Sequence, residues 1–368
     1  MIVSSLTLAL ALLRAAAPAG DDARAAETAS YAAIERLLES GALERAQREL
    51  DAATLSDAAR LRLQGSIALR RGDATAATVA FTEALATTPD DATLRLWLAT
   101  AQLQAGEAEA AHGSLAGTES LARTVIAQPL LRGRIALARA RVDEAYGAFA
   151  QAADDFPDAA APRLELVALC AEQSLFAAAR TWAASIPAAA LDATAARLVL
   201  AALHRDRASL PLLERIAARL RDDPEVVARL AHAWAAADQP YTAAMLFERA
   251  WALGGDHAFA AADQWRMAGQ TRRALAMNAR VGAEARRLDQ RASILFGARQ
   301  YARVVALEPA MRRAGVDSEL ARQRLAHAHF ALGQYARASE LARSLLGGSY
   351  DANARALLSA MGRSADAP

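Results

Sequence analysis

The stretch AARLRLQGSIALRRGDATAATVAFTEALATTPDD, residues 58–91, decides how the whole chain is read. It carries Gly65, Gly72, Ala77, Phe81, Ala84 and Pro89, and a shift of 68 residues lands on Gly133, Ala140, Ala145, Phe149, Ala152 and Pro157. Only Gly72 changes identity. Half that shift, 34 residues, lands on Gly106 and Ala111, so the intervening unit keeps the phase. An alanine-rich chain matches alanines by chance, but chance does not bring Gly, Phe and Pro into one register. The residue types have physical reasons. Small residues at Gly65, Gly133, Ala77 and Ala145 let two antiparallel helices approach closely, and Phe81 and Phe149 fill the gap to the next hairpin. Gly72 suits a left-handed helix stop, and Pro89 and Pro157 end the second helix.

A 34-residue period with small residues at unit positions 8, 20 and 27, a large apolar residue at 24 and Pro at 32 resembles the tetratricopeptide repeat. The resemblance implies an all-α, right-handed superhelical solenoid of helical hairpins, each leaving an apolar face that the next one covers. Working outward, residues 27–57 form an early unit with Gly41, Ala46 and Leu50. Residues 160–223 hold two degenerate units, one around Ala179 and one split by Asp206 and Pro211. The phase returns in 224–254 (Ala231, Trp234, Ala243, Phe247), 255–284 (Ala262, Trp265, Gly269, Ala274), 285–318 and 319–350 (Leu332, Gly333, Gln334, Tyr335, Ala338). This predicts about nine or ten hairpins over residues 26–350, with residues 351–368 a capping helix, N-capped by Asp351, and a short tail.

Composition agrees with the helical reading. Of 368 residues, 103 are Ala, the strongest helix former. Forty-two basic residues balance 41 acidic ones, so the net charge of +1 supplies no global field for nucleic acid or an anionic membrane. Every basic residue is Arg. The absence of Lys excludes phosphate-loop, Schiff-base and kinase-type chemistry, each of which needs an amine that Arg cannot supply. None of the six histidines lies in a zinc motif, so no metal or cofactor site and no catalytic constellation is expected; each histidine reads as a surface or groove residue. The acidic pairs Asp154-Asp155 and Asp222-Asp223 read as caps and solubilising groups rather than as acid–base machinery.

Residues 1–25 read as a secretory signal peptide: an apolar run, Leu6 to Leu13, precedes small residues suited to cleavage before Gly20 or Ala26. The alternative is a first amphipathic helix of the array. The run is too short to span a bilayer, so stable membrane insertion is not expected. Cys170, the only cysteine, sits in an apolar setting and reads as a small buried residue.

The tetratricopeptide resemblance implies a concave wall built from the first helix of each unit. Its groove positions fall on Arg62, Ser66 and Arg70, on Leu96, Thr100 and Gln104, on Leu130 and Arg134, on His232, on Phe259, Asp263, Arg266 and Met267, and on Gln323, His327 and Phe330. Such a mixed surface suits an extended or helical peptide, making a protein or peptide the expected partner. Repeats of this family that clamp a chaperone C-terminus use Lys and Asn in the groove, and this chain offers neither there. A narrower resemblance, carried by Asp263 to Gly269, Leu275 to Val281, Leu288 to Arg291 and Glu308 to Gly315, is to periplasmic tetratricopeptide proteins associated with TonB–ExbB–ExbD energy transduction. It implies a non-catalytic scaffold of the periplasm. The alternatives are a docking subunit of a polysaccharide-export or other enzyme complex, and a cytoplasmic regulatory scaffold.

Overall fold

The computed structural model describes residues 22–365, and the apolar N-terminal run lies outside the described residues. Among the described residues the chain is helical and turn throughout. It divides into two compact units, residues 1–173 with 181–190 and residues 174–180 with 191–368.

The first unit contains α1 (Asp22–Glu39) with α2 (Leu43–Ala52), α3 (Asp57–Arg71) with α4 (Ala74–Thr87), α5 (Ala92–Gln104) with α6 (Ala108–Ser114), α7 (Ala127–Ala138) with α8 (Val142–Asp155), and then α9 (Ala161–Glu172). Each pair is a hairpin whose second helix also packs on the first helix of the next. The division between units runs through α10 (Phe176–Ala184). The second unit contains α11 (Ala193–Leu203) with α12 (Leu210–Arg219), α13 (Pro224–Ala236) with α14 (Pro240–Ala252), α15 (Ala258–Met267) with α16 (Thr271–Asn278), α17 (Glu284–Gly297) with α18 (Tyr301–Arg313), and α19 (Glu319–Ala331) with α20 (Tyr335–Arg343). The last helix, α21 (Asp351–Ala365), lays Ala354, Leu357 and Met361 into the core of the hairpin before it. The expected all-α solenoid of hairpins is therefore present within each unit.

The repeat residues act as their chemistry requires. A Cβ on Gly65 would lie 2.5 Å from the Phe81 ring, and one on Gly133 would lie 2.3 Å from Phe149. Each phenylalanine thus packs over the glycine of its own hairpin as well as against the next one, where Phe81 meets Leu94 and Leu98 and Phe149 meets Leu166 and Leu169. The gap-filling role expected from sequence is only half of what the ring does. Gly72 ends α3 at φ +82°; its N–H donates to Leu69 O, and the next N–H, of Asp73, donates to Ala68 O. Ala140 sits at φ +57° with the same pair of bonds, to Leu137 O and Ala136 O. The turn is kept although the glycine is not.

Arginine also serves the fold. Arg60 of α3 reaches back to the C-terminal end of α2, donating to Leu50 O at 3.1 Å and Ala53 O at 2.8 Å, and Arg163 of α9 does the same for α8 at Ala153 O (3.1 Å) and Phe156 O (3.5 Å), while also donating to Ala159 O (2.8 Å) in the linker. A guanidinium satisfies two carbonyls at the negative pole of a helix at once. Pro211 lies in the first turn of α12 as expected. Asp351 does not cap its own helix: it stands at the first helical position, accepts from Gly347 N at 2.9 Å and pairs with Arg355.

Candidate interaction surface

In the first unit the wall is largely neutralised. Arg62 of α3 is ion-paired with Asp91, the N-cap of α5. It also faces Tyr31 and Glu35 of α1, where burial and then the Glu35 charge push the Tyr31 hydroxyl up to about 12; burial raises the Glu35 carboxyl too. Arg134 of α7 donates to Glu165 of α9 from Nε at 2.8 Å and Nη2 at 2.5 Å. Arg70 differs: burial lowers its pKa against the opposing charge of Glu39, and its Nε has no hydrogen-bond partner among the described residues. Ser66 is half-buried, Thr100 bonds its own helix at Leu96 O, and Gln104 is exposed at the end of α5. Leu96 and Leu130, expected on the groove, are buried instead, because their hairpins turn these positions into the core beside Leu131 and Phe149.

The second unit presents different chemistry. His232 of α13 stands edge-on to Phe247 with centroids 4.8 Å apart, and burial, then His204 and His257, lower its pKa. On α15, Asp263 and Arg266 pair at 2.9 Å, Met267 is half exposed, and Phe259 is covered by the Arg286 guanidinium 3.8 Å from its centroid. On α19, Gln323 has no side-chain hydrogen bond among the described residues. His327 lies 6.4 Å from Phe296, its pKa lowered by burial, and Phe330 lies 5.7 Å from Tyr335. Between them, Arg324 donates to Asp289 of α17 at 3.1 Å. Asp289 and Phe296 belong to the same wall, although neither was read as a groove residue from sequence; each stands 34 residues before a groove position, Gln323 and Phe330, and was legible from that spacing.

The reading of every histidine as a surface or groove residue is overturned as well. His329 is neither a surface nor a groove residue; it is 5% exposed, hydrogen-bonded to Gln334 at 2.6 Å and to Glu308 of α18 at 2.8 Å. Burial opposes ionisation of Glu308, but bonds from Arg337 and His329 outweigh it and hold that carboxyl below its usual range. Among the described residues no group of three or more His, Cys, Asp or Glu could hold a metal ion, and no helix is long and apolar enough to cross a membrane.

A tetratricopeptide-repeat family model matches residues 68–122, from the end of α3 past α6. That stretch is similar to the tetratricopeptide repeat. No curated protein matches the chain. Among solved structures, the chain is similar to a tetratricopeptide repeat protein from Parabacteroides merdae, at 13% identity over 74% of this chain and 98% of that one with a TM-score of 0.39. It is also similar to the APC/C hetero-tetramer Cut9–Hcn1, at 12% identity over 87% of each chain with a TM-score of 0.31.

Proposed function

We propose that the chain is a non-catalytic protein-interaction scaffold that receives an extended or helical peptide along the first helices of its second unit, α13, α15, α17 and α19. The contrast between the two walls carries this reading. Wall arginines are paired in both units, Arg62 and Arg134 with Asp91 and Glu165 and Arg266 and Arg324 with Asp263 and Asp289, but only the second wall adds the apolar and aromatic surface of Met267, His232 and Phe330 beside Gln323. Methionine and aromatic side chains on helix faces suit an apolar peptide anchor. A photo-crosslinker placed at Met267 in the native host should give one discrete protein adduct, and the same group at Met245 on α14 should give none. Equal labelling from both positions refutes the assignment to this wall.

We further propose a periplasmic scaffold accessory to a TonB-type system. The resemblance of residues 263–315 and the apolar run at Leu6 to Leu13 support it. Cleavage before Gly20 leaves every described residue of α1 (Asp22–Glu39) in place, while cleavage before Ala26 removes the first four of them. Mass spectrometry of the native protein should find residues 1–19 or 1–25 missing; retention of Met1 to Leu13 refutes export.

A further inference from the structure

The near-neutral sum of charges hides two opposite halves. The first unit holds 16 Arg against 23 Asp and Glu, a net of −7, and the second holds 26 against 18, a net of +8. Within the second unit, residues 264–313 carry eleven Arg and only Glu284, Asp289 and Glu308 as acids.

The segregation reaches a repeated place in the fold. Stacked hairpins bring the first turns of all second helices to one edge of a unit. In the first unit that rim is acidic: Asp73 caps α4, Glu107 precedes α6, and Asp143 and Glu144 open α8, all exposed. Arg71 and Arg139 beside them are already paired with Glu44 and Glu109, and Arg141, the exposed N-cap residue of α8, offsets only one of the acids, which leaves them in excess. Carboxylates there also suit the positive pole of a helix. In the second unit the same turns carry Arg272 and Arg273 on α16 and Arg303 on α18, at the pole where a cation is disfavoured. Helix stability does not explain them, and neither does pairing. Arg272 has no partner among the described residues, Arg273 stacks 4.6 Å over Trp265, and Arg303 donates to the neutral Gln300 Oε1 at 2.5 Å. Arg337, at the equivalent turn of α20, is neutralised by Glu308 and Glu340 and is not part of the free set. Tyr241 and Tyr335, 48% and 43% exposed, flank the arginines, and Tyr and Arg are the residue types that dominate interface energetics. Arg272 breaks the helix-pole rule with no structural gain among the described residues, and Arg273 and Arg303 gain only ring contacts and one neutral hydrogen bond, which leaves three uncompensated charges on this surface.

We propose that this Arg/Tyr rim docks the acidic rim of the first unit of a second copy of the chain. The free arginines stand on the successive hairpins of α16 and α18 and the acids on those of α4, α6 and α8, so the charged teeth are spaced by one hairpin on both rims with opposite sign, and the contact is head-to-tail. It is separate from the peptide wall of the first helices.

Sedimentation velocity on the full chain tests it. At roughly 0.01 M salt, where the screening length is about 30 Å, the average mass should rise with protein concentration; at roughly 1 M salt the chain should be monomeric. The double variant Arg272→Glu with Arg303→Glu, and separately Asp143→Arg with Glu144→Arg, should each remain monomeric at low salt with a wild-type helical circular dichroism spectrum. Mixed in equal amounts, the two should form a one-to-one dimer, since each retains the rim that the other lacks. Arg272→Gln with Arg303→Gln, which keeps the surface polar without reversing charge, should weaken association at least tenfold. A wild-type chain that stays monomeric at low salt at every concentration overturns the proposal. So does association that persists at high salt, or a variant mixture that stays monomeric.

Discussion

The turns at Gly72 and Ala140 lie 68 residues apart and close their hairpins with the same two backbone hydrogen bonds, yet only one of them is glycine. Asp238 and Arg299 hold the same left-handed backbone between α13 and α14 and between α17 and α18. Hairpin α11/α12 does without it. There, no residue between Leu203 and Leu210 has positive φ; Asp206 instead accepts from Ser209 Oγ at 2.6 Å and Ala208 N at 3.3 Å and is ion-paired with Arg180. The difference teaches that packing of small against large side chains sets the hairpin, and that the turn follows by whichever device is at hand. An L-residue in the left-handed region costs about 1–2 kcal/mol, a strain that helix packing at Ala140 and Arg299 outweighs.

The comparison breaks first at the packing. Phe149→Ala should cost about 3–5 kcal/mol by denaturant unfolding, since the buried ring touches both its own hairpin and the next. Gly133→Ala should cost about 1–3 kcal/mol by overpacking, and the double variant with Phe149→Leu should recover part of that loss. Full additivity of the two would contradict direct contact.

At α11/α12, Asp206→Ala should cost about 1–2 kcal/mol, while the matching change at exposed Asp154 should cost nothing measurable. Burial opposes the charge of Asp206, but its bonds from Ser209 and Arg180 overcome this and lower its pKa; Asp223 behaves likewise through Arg197 and Val226 N. A depressed carboxyl contributes stability that is fully present above its unfolded pKa of about 3.9 and is lost as pH falls through the folded value. His232 and His327 are also depressed, so the folded state resists their protonation and stability should begin to fall below about pH 6.5. Thermal melts across pH check this, and His232→Gln should remove the upper part of the decline.

The smallest change should be Ala140→Gly, which relieves left-handed strain against glycine's entropy cost and should stabilise by up to about 1 kcal/mol; Gly72→Ala should destabilise by a similar amount.

These contrasts explain what sequence could show. The Gly65–Phe81 and Gly133–Phe149 pairs were legible because contact geometry dictates residue size at fixed spacing. Pro89 and Pro157 likewise marked helix ends, since α4 stops at Thr87 and α8 at Asp155. His329 was not legible, because the groups that let it be buried, Glu308 and Gln334, come from another helix and a turn that no period links to it. Nor was the capture of Arg62 and Arg134 by Asp91 and Glu165, which lie 29 and 31 residues away and are close only once hairpins stack. The segregation of charge needed the division of the chain before it could be counted.

Amide hydrogen exchange tests most directly whether one hairpin geometry persists whatever residue occupies the turn. The N–H groups of Asp73 and Gln334, which follow glycines, and of Arg141 and Gln300, which follow Ala140 and Arg299, each donate five residues back at 2.8–2.9 Å. All four should be protected to a similar degree. Protection at Asp73 and Gln334 with free exchange at Arg141 and Gln300 would contradict a common turn.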